Sequence, residues 1–140
     1  MSAEYFMDTN IFIYAFSPHE IAKRSRAATL IREALQESKG VISSQVFQEF
    51  LNVAIHKPSA AVPSEVLTDY IDHVLSPLCR VFPNPYLYKN AIRLHRETQY
   101  RFYDCLILAA ALESGAKILY SEDLQHDRVI GDLRIVNPFL

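Results

Sequence analysis

Short unbroken apolar runs alternate along this chain with longer segments in which apolar positions recur at helical spacing. Tyr5-Phe6-Met7 stops at Asp8-Thr9-Asn10. A run this brief, closed by turn-forming residues, reads as a buried strand leading into a polar turn. Ser17-Pro18-His19-Glu20 combines a capping residue, a proline suited to the first helical position and a glutamate able to complete a capping box. Ala27, Leu30, Ile31, Ala34 and Leu35 follow in helical register, and Gly40 is expected to stop that helix. Val41-Ile42-Ser43 predicts a second strand. Ser44 then caps a helix that turns Val46, Phe47, Phe50, Leu51 and Ala54 inward.

Pro63-Ser64 opens a further helix with Val66, Leu67, Tyr70, Ile71, Val74 and Leu75 in register, closed by Pro77. Cys79-Arg80-Val81-Phe82 predicts a third strand. A weakly patterned helix runs through Leu87, Ala91, Ile92 and His95, and a strongly apolar one covers Tyr103 to Ser114, ended by Gly115. Lys117-Ile118-Leu119-Tyr120 and Arg134-Ile135-Val136 supply a fourth and a fifth strand, the last with Pro138 at its exit. This alternation predicts one α/β domain over 1–140, with a mostly parallel sheet covered by helices on both faces.

Composition narrows the picture modestly. The chain has 140 residues, half of them hydrophobic, enough for one apolar core and too few for two. Cys79 and Cys105 form no C-x-x-C pair, so neither a disulfide framework nor a cysteine zinc site is indicated. No segment approaches membrane-spanning length, and the N-terminus lacks a basic region followed by a long apolar run, so a soluble cytoplasmic protein is expected. The net charge of −2 argues against a phosphate-bearing partner only until metals are considered, because bound cations would offset several acids.

In open parallel sheets, ligands bind beyond the carboxyl ends of the strands. Asp8 ends the first strand, Asp123 follows the fourth through Ser121-Glu122, and Asp104 opens the helix that runs into the fourth. Glu49 lies one turn inside the helix after the second strand, between apolar pairs. Carboxylates gathered in one cleft suit Mg²⁺ or Mn²⁺, and without a cation they would repel one another until some bound protons. Each acid has a plainer alternative: a turn former for Asp8, a helix N-terminal charge for Asp104, a solvated loop acid for Asp123, and an exposed helix residue for Glu49. The set of four on a parallel scaffold is the stronger signal.

Tyr5-Phe6-Met7-Asp8-Thr9-Asn10-Ile11, Ser43-Ser44-Gln45-Val46-Phe47-Gln48-Glu49-Phe50, Tyr103-Asp104-Cys105-Leu106-Ile107-Leu108-Ala109-Ala110 and Ile118-Leu119-Tyr120-Ser121-Glu122-Asp123-Leu124 together resemble the successive signature blocks of a PIN domain. Leu133 to Phe139 resembles that family's closing strand. The resemblance implies a three-layer α/β/α domain with a five-stranded parallel sheet and Mg²⁺- or Mn²⁺-dependent ribonuclease activity. At this size the chain is similar to VapC-type toxins, which implies a homodimer held inactive by a small antitoxin that inserts into the cleft. Carried over by motif, Asp8, Glu49, Asp104 and Asp123 would hold the metal, and Asn10, Ser43 and Ser121 would be polar residues near metal or substrate. One departure is Gln125-His126-Asp127-Arg128, where those toxins often carry a glycine; it leaves the loop geometry open and adds the charge of Asp127.

The chemistry expected on this basis is hydrolysis by metal-activated water, leaving a 5′-phosphate and a 3′-hydroxyl, with no histidine required as base. His19, His56, His73, His95 and His126 show no metal-ligand spacing. Arg101 and Arg128, with Lys23, Arg24, Arg26 and Arg96, are candidates for RNA phosphates, and Tyr100, Phe102 or Tyr103 for stacking on bases. Two rivals are a catalytically silent PIN-like module that binds protein or RNA, and a phosphoryl-transfer fold built on a nucleophilic aspartate. Against the second, Asp8-Thr9-Asn10 lacks a second acid beside the first.

Overall fold

The computed structural model describes residues 3–56 and 62–140; Met1 and Ser2, part of the N-terminal stretch read above, lie outside them. Strand β1 (Tyr5–Met7) is buried along its whole length and forms the centre of the sheet. It pairs in parallel with β2 (Gly40–Ser43) on one side and β4 (Ile118–Tyr120) on the other. Beyond β2 lies β3 (Cys79–Val81), and beyond β4 lie β6 (Leu133–Val136) and then β5 (Val129–Ile130), giving the order β3-β2-β1-β4-β6-β5. The five expected strands are all parallel. The sixth, β5, is a two-residue addition that pairs antiparallel with β6 across a turn at Gly131. Chain order runs outward from β1 in both directions, so β1 and β4 flank the switch point where loops diverge and leave a cleft.

Seven α-helical segments and one π-helical turn complete a three-layer α/β/α domain among the described residues. They are α1 (Thr9–Ala15), α2 (Ile21–Gln36), α3 (Ser44–His56), α4 (Ser64–Tyr70), the π-helical turn Ile71–Leu75, α5 (Ser76–Leu78), α6 (Pro85–Thr98) and α7 (Phe102–Glu113). Helix α7 is buried from Cys105 through Ala111, as its unbroken apolar character requires, and packs along α6. Helix α1 packs on both α2 and α3. An aromatic cluster locks that corner: Phe50 of α3 lies 6.1 Å from Phe12, 5.7 Å from Phe16 and 5.5 Å from Tyr70, ring centre to ring centre.

Several local expectations are corrected. Asp8-Thr9-Asn10 is not a loop: Thr9 starts α1, and the Asp8 side chain caps it by accepting from the Thr9 N–H. Helix α2 begins at Ile21 rather than at Ser17; the Ser17 hydroxyl accepts from the Glu20 N–H and so shapes the preceding turn. Gly40 does not stop α2, which ends at Gln36. It belongs to β2, where a Cβ would come within 2.6 Å of both Ala34 Cβ and a Tyr5 ring carbon, so only glycine lets helix and strand approach this closely. Pro77 lies within the last turn of the continuous helical run 64–78, after the π-helical turn Ile71–Leu75, rather than beyond the helix. The cap of α3 comes from Ser43, whose hydroxyl accepts from Val46 N–H at 3.4 Å, rather than from Ser44.

Candidate active site

The acids come together because three of them sit where the chain leaves a strand or enters a helix at one end of the sheet. Asp8 leaves β1, Asp123 lies in the loop after β4, and Asp104 occupies the first turn of α7. Glu49 projects from the second turn of α3. All four line one cleft of about 310 Å³, together with Thr9, Asn10, Gln45, Asn52 and Arg101.

Asp8 is the buried member, with 9% of its surface exposed. Its Oδ1 accepts from Thr9 N–H at 2.7 Å and its Oδ2 from the Ser121 hydroxyl at 2.8 Å. Burial pushes its carboxyl up to about 6, against the lowering effect of those two hydrogen bonds and with help from the negative charges of Glu49 and Asp123. The other acids are held by neighbours: Thr9 Oγ1 donates to Glu49 Oε1 at 2.9 Å, Asn10 Nδ2 to Asp123 Oδ2 at 2.8 Å, and Arg101 Nε lies 3.6 Å from Asp104 Oδ2. Among the described residues, no three acidic, histidine or cysteine side chains stand close enough as placed to share one ion. Donor chemistry nonetheless fits a hard divalent cation, since the cleft offers carboxylate and amide oxygens and no thiolate or imidazole. Rotation of the exposed Asp123 and of the half-buried Glu49 and Asp104 toward Asp8 is what such an ion would require.

Of the secondary residues, Asn10, Ser121 and Arg101 stand at the acids. Ser43 does not; its hydroxyl is committed to capping α3, and it borders the neighbouring cleft. Arg128 also lies elsewhere, with its guanidinium 5.0 Å from the centre of the Tyr100 ring and donating to Thr98 O. Lys23 is tied to the loop before Asp123: its Nζ donates to Glu122 Oε2 at 2.8 Å, and Tyr14 Oη donates to Glu122 Oε1 at 2.6 Å. Burial, which alone would raise the Glu122 carboxyl, is outweighed by these two donors, so it sits below the usual carboxylate range. Asp127 does not line the cleft. It adopts φ +67°, the left-handed conformation that glycine favours and aspartate tolerates. The five histidines are all exposed. Sequence reading missed the role of Thr9, visible only once α1 turns its side chain toward α3, and the Tyr14–Lys23–Glu122 clamp, which joins residues about a hundred positions apart and leaves no local pattern.

The PIN domain family model matches residues 5–131. This chain belongs to the PIN-domain family. No curated protein matches it in sequence. Solved structures similar to this PIN domain include a toxin–antitoxin complex from Klebsiella pneumoniae, with a TM-score of 0.68 at 20% identity, covering 96% of this chain and 97% of that one. FitAcB from Neisseria gonorrhoeae aligns at 0.65 and 17% identity, covering 96% and 98%. VapC20 of Mycobacterium tuberculosis, a sarcin–ricin loop cleaving toxin, aligns at 0.58 and 21% identity over 85% of this PIN domain and 89% of its own chain. At these identities the likeness speaks for the fold.

Proposed function

We propose that this PIN domain is a Mg²⁺- or Mn²⁺-dependent endoribonuclease and the toxin of a toxin–antitoxin pair. The observation that carries the reading is the meeting of Asp8, Glu49, Asp104 and Asp123, from four separate stretches of chain, in one cleft beside the sheet's switch point. Such a group has little structural use without a cation, and the burial of Asp8 makes its charge costly unless it is matched. When bound, the divalent ion would supply a nucleophilic water at neutral pH and neutralise phosphate charge. Asp8, Asp104 and Asp123 would hold it, with Glu49 as a further ligand or a holder of water. Ser121 and Thr9 keep Asp8 oriented, Asn10 and Thr9 aim Asp123 and Glu49, and Arg101 stands ready to meet an RNA phosphate. Cleavage would leave a 5′-phosphate and a 3′-hydroxyl.

The toxin assignment draws on the solved structures described as a toxin–antitoxin complex and as a sarcin–ricin loop cleaving toxin. By extension, the partners are RNA, a cognate antitoxin that covers the cleft, and a second copy of the chain, acting in the cytoplasm. No helix among the described residues is long and apolar enough to cross a membrane. The rival reading, a silent binding module, has one observation in its favour, namely that the acids as placed do not converge on a single point. The decisive experiment incubates purified protein with single-stranded RNA and Mg²⁺ or Mn²⁺, before and after EDTA. Metal-dependent scission with the stated end groups supports the nuclease. Binding without scission at any metal concentration would favour the silent module.

A further inference from the structure

Immediately beside the acids lies a second cleft of different chemistry, with a volume of about 280 Å³. Gln45 and Gln48 of α3 border it on one side, Phe82 and Tyr88 on another, and Phe102 and Tyr103 at the start of α7 on the third. Gln45 also lines the acidic cleft, so the two share a wall. None of the described side chains lining the second cleft is charged. Its aromatic rims face solvent: Tyr103 is 69% exposed and Phe82 59%.

We propose that this cleft is a nucleobase subsite, holding one unpaired base of an RNA strand whose adjoining phosphate lies at the acids; the inference rests on the ribonuclease reading above. The division of charge between the two clefts mirrors that within a nucleotide. Arg101 and cation-bearing acids would meet the phosphate, and a neutral aromatic and amide lining meets the neutral base. Consecutive residues follow the same division, with Arg101 in the acidic cleft, Phe102 and Tyr103 in the neutral one, and Asp104 back at the acids. Aromatic faces stack on any base, and single-stranded segments are where bases are free to stack on protein. Phe102 and Tyr103 present edge-to-face rings with centroids 6.0 Å apart, which offers one exposed face rather than a closed pair. Gln45 is fixed by donating from Nε2 to Tyr103 O at 3.1 Å, which leaves its Oε1 and second N–H for a base edge. The volume, about 280 Å³, is close to the lower bound of ligand pockets, roughly 300 Å³, a size suited to one planar ring system.

The test uses the 140-residue chain carrying Asp8→Asn to suppress cleavage, with Mg²⁺, and a short single-stranded RNA containing one 2-aminopurine, whose fluorescence falls on stacking. Quenching on binding is expected, with affinity lowered roughly tenfold by adding Tyr103→Ala and restored to within about twofold by Tyr103→Phe. Tyr103 is too exposed for the alanine variant to threaten folding. In the otherwise unaltered enzyme, Tyr103→Ala should raise KM with kcat nearly unchanged. Cleavage by the native chain combined with undiminished binding and KM in Tyr103→Ala would overturn the subsite and leave the nuclease standing. Failure of the native chain both to bind and to cleave RNA would bring down both. A Tyr103→Ala variant that changes only self-association, in sedimentation, would assign the cleft to protein contact and overturn the proposal.

Discussion

Replacing Asp8 by Asn should separate what this residue does for activity from what it does to stability. Without metal, the native chain keeps a carboxyl in a buried site that raises its pKa from 3.8 to about 6. Between those values the folded form holds a proton that the unfolded form has released, so the contribution of Asp8 to stability is greatest below pH 3.8 and is lost as pH rises through about 6. A shift of this size corresponds to about 3 kcal/mol. Asparagine cannot ionise. Its oxygen can still accept from Thr9 N–H, while its amide nitrogen must donate to Ser121, whose hydroxyl has to turn; an imperfect fit there costs about 1 kcal/mol. The net gain for metal-free Asp8→Asn at pH 7 is therefore about 1–3 kcal/mol, or roughly 3–10 °C in Tm for a chain of this length. Calorimetry in EDTA from pH 4 to pH 8 should show the two proteins converging near pH 4 and diverging as pH rises. Mg²⁺ should then stabilise the native chain far more than the variant, and RNA cleavage by the variant should be lost. A variant less stable than the native chain at pH 7, or one that cleaves RNA fully, would refute the account of Asp8.

Other substitutions address separate parts of the structure. Phe50→Ala should destabilise by about 3–5 kcal/mol in urea titration, since it empties the centre of the cluster formed with Phe12, Phe16 and Tyr70. Gln99, the left-handed C-cap of α6 at φ +67°, should gain about 1 kcal/mol on replacement by glycine, read as a rise in Tm of roughly 3 °C. Glu122→Gln should leave stability within about 1 kcal/mol, because its pair with Lys23 is partly exposed; a several-fold fall in cleavage rate is expected as the loop carrying Asp123 loosens, and an unchanged rate would deny the clamp a role in positioning.

The strands were legible because each is a brief apolar run bounded by polar or turn residues; Asp8 was legible because it follows such a run directly, and Asp123 because it lies three residues beyond one. Helix α1 was not. Thr9–Ala15 is too short and too apolar to show a helical period, and Asp-Thr-Asn carries the marks of a turn as well as those of a cap. Strand β5 escaped because two residues carry no alternation; its existence depends on the turn at Gly131 and on pairing with β6. At the site, membership of the cleft followed from chain position, whereas the partner of each acid did not. Ser43 and Ser44 are equally good caps on paper, and backbone geometry chooses Ser43. Lys23 and Arg128 read as free cations because their partners, Glu122 and Tyr100, are distant in sequence.

The two flanks of the sheet differ in a way that bears on how the protein survives at high concentration. On one flank only the two residues of β5 present open backbone groups, and on the other β3 is three residues long, carries the exposed Arg80 and is soon followed by Pro83. Neither offers a template long enough for another chain to extend by strand addition. Overproduced molecules should therefore resist fibrous aggregation.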